Sequence, residues 1–126
     1  MPSIQPIKPH PSVPISGAVR VGEVVYVSGQ VGYLPGTSDI VPGGVAAQTR
    51  QALENMRAVL EAAGSSLSQV VKTTVFLTDV QRDFATMNQV YAEVFGDHRP
   101  ARSTVGVAAL ARPGLEVEIE CVAVAR

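Results

Sequence analysis

The chain has 126 residues, a formal net charge of −1, 46% hydrophobic and 17% charged residues. This length suits one domain, residues 1–126, with its own core. Lys and Arg are scattered and aromatics make up only 5%, so neither a basic stripe for phosphates nor a platform for stacked bases is present. With no bilayer-length apolar run and no charged-then-apolar leader, the expectation is a cytoplasmic protein that binds neither nucleic acid nor membrane. The polar share is thin for a monomer of this size, which points to apolar surface covered by another copy. Cys121 is the only cysteine, so an intrachain disulfide is excluded, and it reads as a small buried hydrophobe in a reducing compartment.

Residues 1–14 hold Pro2, Pro6, Pro9, Pro11 and Pro14, each fixing φ and removing a donor. They predict an extended arm, neither a helix nor a central strand. Ala18–Val21 and Val24–Ser28 read as short strands about a Gly22-Glu23 turn, and residues 33–44 as a loop rich in Pro and Gly. Val45–Ala63 is the clearest helix: Thr49, Leu53, Met56, Leu60 and Ala63 recur at three and four, and Gly64 follows as the cap. Val70–Leu77, rich in β-branched residues, predicts a central strand. Asp79 is placed to cap a second helix over Gln81–Phe95, with Phe84, Met87, Tyr91 and Val94 on its buried face and Gly96 ending it. Asn88 lies beside that face, either bonding backbone nearby or reaching a partner chain. Arg102–Leu110 and Leu115–Val124 read as the last strands, separated by the turn Arg112-Pro113-Gly114.

The predicted order is ββαβαββ, an α+β fold with two helices on one face of a sheet of five or six strands. In the last strand Leu115, Val117, Ile119, Cys121 and Ala123 share one face, and Glu116, Glu118, Glu120, Val122 and Val124 the other. A face that runs from carboxylates into valines suits a second subunit at its apolar end and a cleft at its acidic end.

Chemistry-bearing patterns are few. His10 and His98 lack metal-ligand spacing, the glycines lack the spacing of a nucleotide loop, and Val27-Ser28-Gly29-Gln30 lacks the first glycine of a nucleophile elbow. Arg102 enters a strand among small residues in Arg99-Pro100-Ala101-Arg102-Ser103-Thr104. Its planar fork suits a carboxylate ligand, and equally a structural pair with Glu118 or Glu120. From residue type alone the two stay open.

Several blocks taken together resemble the RidA (YjgF) reactive intermediate deaminase family, whose members also go by endoribonuclease L-PSP and translation inhibitor. The blocks are Val25–Gln30, Val45–Asn55, Glu61–Gly64, Val71–Asp79, Phe84–Asn88 with Tyr91, Pro100–Ser103, Glu118–Glu120 and Val122–Val124. They follow the family order over nearly the whole chain. The resemblance implies a chorismate mutase-like ββαβαββ fold and a homotrimer with a barrel-like core and active sites in clefts between subunits. It implies hydrolysis of enamines and imines such as 2-aminoacrylate to 2-keto acids and ammonia, on small carboxylate substrates, without a cofactor. By position, Arg102 would bind the substrate carboxylate and Glu118 would hold or activate water. Ser28 and the backbone at Thr104 would line the pocket, with Asn88 near the cleft. Many members carry Gly-Pro-Tyr near the N-terminus. The aligned stretch here is Val13-Pro14-Ile15, and Thr104 stands where cysteine is common. Ile15 makes the pocket more apolar and motivates a second reading, a regulatory trimer that binds small carboxylates without turnover. A ribonuclease is suggested only by the family's older name, and the weak basic character argues against it.

Overall fold

The computed structural model describes residues 3–125, so Met1 and Pro2 of the proline-rich arm lie outside the described residues. The strands are β1 (Ile4–Pro9), β2 (Ser16–Val21), β3 (Val24–Gln30), β4 (Val70–Leu77), β5 (Ala101–Gly106) and β6 (Val117–Val124). The helices are α1 (Gly44–Ala62) and α2 (Val80–Phe95). The strands form one six-stranded sheet in the order β1-β2-β3-β6-β4-β5, with β4 and β5 parallel and every other pair antiparallel.

The helices form where the apolar repeat and the end signals agree. Thr49, Ala52, Leu53, Met56, Val59 and Leu60 of α1 are all buried. Gly64, at φ 81°, follows the helix in the left-handed conformation that glycine adopts without strain. Asp79 caps α2, its carboxylate accepting the Arg82 N–H at 3.1 Å. Leu53, Met56 and Leu60 of α1 and Met87 of α2 pack with Val25, Val75, Leu77, Val117 and Ile119 of the sheet. Each such side chain, fully buried, contributes roughly 1.5–3 kcal/mol. Both helices cover one face and leave the other, with Tyr26, Glu118, Glu120, Val122 and Val124, uncovered within this chain.

The arm is more ordered than its prolines suggest. Residues 4–9 pair with β2 as an edge strand, the one place in a sheet where missing donors are tolerated. The element order is therefore βββαβαββ. The strand expected over Arg102–Leu110 stops at Gly106, because its partner β4 stops at Leu77 and only the Val107 N–H still reaches Leu77 O, at 2.9 Å. Phe84, expected in the core, is 39% exposed, and Val90 and Phe95 are buried in its place.

Candidate active site

The sheet divides the sequence-derived site residues between its two faces. On the helix side, Arg102 pairs with Thr73 in the parallel β4–β5 register. Thr73 Oγ1 and the Tyr91 hydroxyl share a buried hydrogen bond of 2.7 Å, so Thr73 points toward α2. The Arg102 guanidinium lies over the Tyr91 ring, 4.7 Å from its centroid, and 5.7 Å from that of Phe84. Such stacking suits a guanidinium, whose weakly hydrated planar face meets the ring quadrupole. Among the described residues Arg102 has no ion-pair partner, and the pairs with Glu118 or Glu120 left open by the sequence are not formed. Phe84, Asn88 and Tyr91 recur along one stripe of α2, so exposed Asn88 stands next to the aromatic pair that carries Arg102. Thr104 pairs with Val75 on the same side of β5, which ends the sheet and has one backbone edge unpaired in this chain. Burial first raises the Tyr91 hydroxyl above its ordinary pKa; the Thr73 bond and the Arg102 charge pull the other way.

The second group lies on the uncovered face. Between Val27↔Cys121 and Gln30↔Ile119 the register shifts, so Ser28 and Gly29 oppose the single residue Glu120. A bulge of this kind re-aims the side chains beside it. The Glu118 side chain lies over Gly29 so closely that a Cβ there would stand 2.0 Å from Oε2. Burial, then the neighbouring Glu120 charge, raises the Glu118 carboxyl above its ordinary pKa. The Ser28 hydroxyl donates to Ser16 O at 2.6 Å, tying the bulge to the start of β2. Beside it runs a groove of about 570 Å³ lined by Val13, Pro14, Ile15, Ser16, Val19 and Ser28, with Pro9 and His10 at its rim. The His10–Ile15 turn that forms its wall is closed by His10 N–H donating to Ile15 O at 2.9 Å.

One chain thus holds the candidate residues in two separate groups. Arg102, Asn88 and Thr104 belong to the α2 side of β5; Glu118, Ser28 and Ile15 belong to the uncovered face. β4 lies between β5 and β6, which places the outer strands roughly 10 Å apart. Arg102 and Glu118 therefore do not face each other within one chain. Among the described residues no group of three or more His, Cys, Asp or Glu side chains gathers as a metal centre requires.

The Endoribonuclease L-PSP family matches residues 6–125. The chain belongs to this family, also called RidA or YjgF. A RutC family protein of Pyrococcus horikoshii is 49% identical over 115 residues, 91% of this chain and 90% of the relative. The 2-iminobutanoate/2-iminopropanoate deaminase of Mus musculus is 49% identical over 111 residues, 88% of this chain and 81% of its own length. Among solved structures, E. coli TdcF with bound serine superposes with a TM-score of 0.86 at 40% identity, covering 97% of this chain and 99% of that one.

Within this RidA-family chain, sequence reasoning missed the residues that hold the named ones in place. Phe84 and Tyr91 carried apolar spacing and were assigned to the buried face, where Tyr91 does lie, but that spacing gave no sign that the two rings form the platform under Arg102. Gly29 showed only within the Val25–Gln30 block, and the absence of its side chain is what admits Glu118. Val19 gave no signal as a groove residue, and Val13 showed only in the stretch aligned with the family's Gly-Pro-Tyr, since the folding back of the arm is a tertiary event.

Proposed function

We propose that this chain hydrolyses 2-imino acids and their enamine tautomers, including 2-aminoacrylate, to 2-keto acids and ammonia. In this reading it works as a homotrimer whose clefts join the Arg102 half-site of one copy to the Glu118 half-site of the next. The observation that carries the reading is Arg102: a guanidinium stacked on Tyr91 and Phe84, without a carboxylate partner among the described residues. The deaminases among its relatives support the reaction class.

The reaction asks little of a site. A protonated imine carbon is already electrophilic, so holding the substrate and delivering one water supplies much of the acceleration. Arg102 grips the substrate carboxylate through two charge-assisted bonds. Glu118, as the carboxylate, takes a proton from water while the water oxygen bonds to the imine carbon and the C=N π pair moves to nitrogen. The protonated Glu118 returns that proton to the amine of the tetrahedral adduct. The C–N bond then breaks as an oxygen lone pair forms C=O, the Glu118 carboxylate takes the hydroxyl proton and passes it to the departing ammonia, and the 2-keto acid and ammonium leave. A carboxyl held above its ordinary pKa is well matched to these transfers.

The test generates 2-iminobutanoate in situ and follows its loss with and without protein. Two charge-assisted bonds at roughly 1.5–3 kcal/mol each imply that Arg102→Ala lowers kcat/KM by about 10²–10⁴-fold. Acceleration unchanged by that substitution contradicts the carboxylate clamp. The serine bound to TdcF favours a second reading, in which a pocket of this kind holds small carboxylates without turning them over. It predicts Arg102-dependent binding of 2-keto acids and no catalysis across an imine panel.

A further inference from the structure

We infer that the groove beside Ser28 is the side-chain pocket of the site and that it selects 2-imino acids with branched or long aliphatic side chains over those with a methyl or ethyl group. The inference rests on the function proposed above and adds which substrates that site prefers.

The groove adjoins the catalytic half-site directly. Ser28 is one of its lining residues, and the next residue along β3, Gly29, carries the Glu118 side chain against its backbone. A substrate whose reacting carbon is near Glu118 therefore has its alkyl substituent within reach of the groove. Most of the wall is aliphatic: Val13, Pro14, Ile15 and Val19, with Pro9 at the rim. Val13 is 44% exposed and Ile15 is 56% exposed, so two branched side chains are left facing water around one concavity. Apolar surface held open in this way gains by covering alkyl groups. The polar groups present are mostly engaged: the Ser28 hydroxyl donates to Ser16 O, and His10 Nδ1 accepts the Ser12 and Val13 N–H groups at 3.1 and 2.9 Å. The groove thus offers little to a polar substituent. It is an open groove of about 570 Å³, which covers one flank of an alkyl chain and leaves room for more than a methyl group. The wall is also held in shape, since the same two bonds to His10 and the His10–Ile15 backbone bond close the turn that presents Ile15.

Each further methylene buried in an apolar site is worth about fourfold in the specificity constant. Three further carbons, partly covered, imply a preference on the order of tenfold or more for the imine of leucine over the imine of alanine. The experiment generates both imines in situ with an amino-acid oxidase and measures kcat/KM for each. The expected wild-type ratio favours the leucine-derived imine by at least about tenfold. Ile15→Ala and Val13→Ala, both at exposed positions that the fold tolerates, each lower that ratio by about threefold or more. A ratio near one in the wild type, or a ratio that neither substitution moves, overturns the inference; so does a groove filled by a neighbouring copy, which gives the same unmoved ratio. Absence of turnover on both imines instead defeats the function proposed above, so the two failures are distinguishable.

Discussion

At the scale of single residues, the proposed chemistry depends on two groups that the fold treats differently. Glu118 sits half-buried against a backbone glycine beside a second carboxylate, and both burial and Glu120 favour its neutral form. Its folded-state pKa exceeds the unfolded one, so its contribution to stability is complete below the unfolded value and is lost as pH rises through the folded value. Glu118→Gln is therefore expected to match the wild type in melting temperature in acid and to equal or exceed it at neutral pH, while kcat falls by about 10²-fold or more with loss of the base. A large drop in melting temperature at neutral pH assigns Glu118 a structural role instead. In the proposed mechanism activity needs the ionised form, so the acid limb of kcat/KM is expected to be shifted upward from the ordinary glutamate value and to disappear in the variant. The Arg102 platform has its own dependence. Tyr91→Phe keeps the ring but leaves the buried Thr73 hydroxyl without its partner, at a cost of about 1–3 kcal/mol by denaturant unfolding. An unchanged midpoint removes that bond from the account. Cys121, buried on the helix side with its thiol pushed up to about 12 chiefly by burial, stays unmodified by thiol reagents until the chain unfolds.

At the scale of elements, what the sequence revealed and what it hid have physical causes. The α1 stripe from Thr49 to Leu60 was legible because a helix repeats its contacts every three or four residues, and each repeat is written in residue type. The alternation in β6 was legible for the same reason at period two. β1 was hidden because proline argues against a ladder, and an edge strand uses only half of one. The end of β5 was hidden because Val107–Leu110 remains apolar in sequence while the partner strand has run out. The side of the sheet on which Arg102 stands was equally hidden, since it follows from a parallel register with Thr73 that no local signal encodes. Two element ends invite direct tests. Asp79→Ala removes the α2 cap and is expected to cost about 1 kcal/mol, read as a lower unfolding midpoint. Gly29→Ala inserts a methyl group into the Glu118 side chain, which is flexible enough to swing away. It therefore lowers imine hydrolysis far more than it lowers stability, and equal losses would make Gly29 a packing residue only.

At the scale of the molecule, one chain separates what the proposed reaction must bring together. Arg102 and its aromatic bed face the helix side at one sheet edge, while Glu118, the bulge and the apolar groove share the other face with Tyr26, Val122 and Val124. Tyr26 is 52% exposed on that face, an amount of open aromatic surface that a neighbouring copy would cover. A head-to-tail ring of copies sets one half-site against the other at every interface, which is the arrangement proposed. Its most direct test mixes two inactive variants, Arg102→Ala and Glu118→Gln, after dissociation and joint reassembly. If the two residues serve one site from different chains, random mixing restores both at about a quarter of the sites and returns a matching share of wild-type imine hydrolysis. A mixture as inactive as its separate components contradicts the shared site.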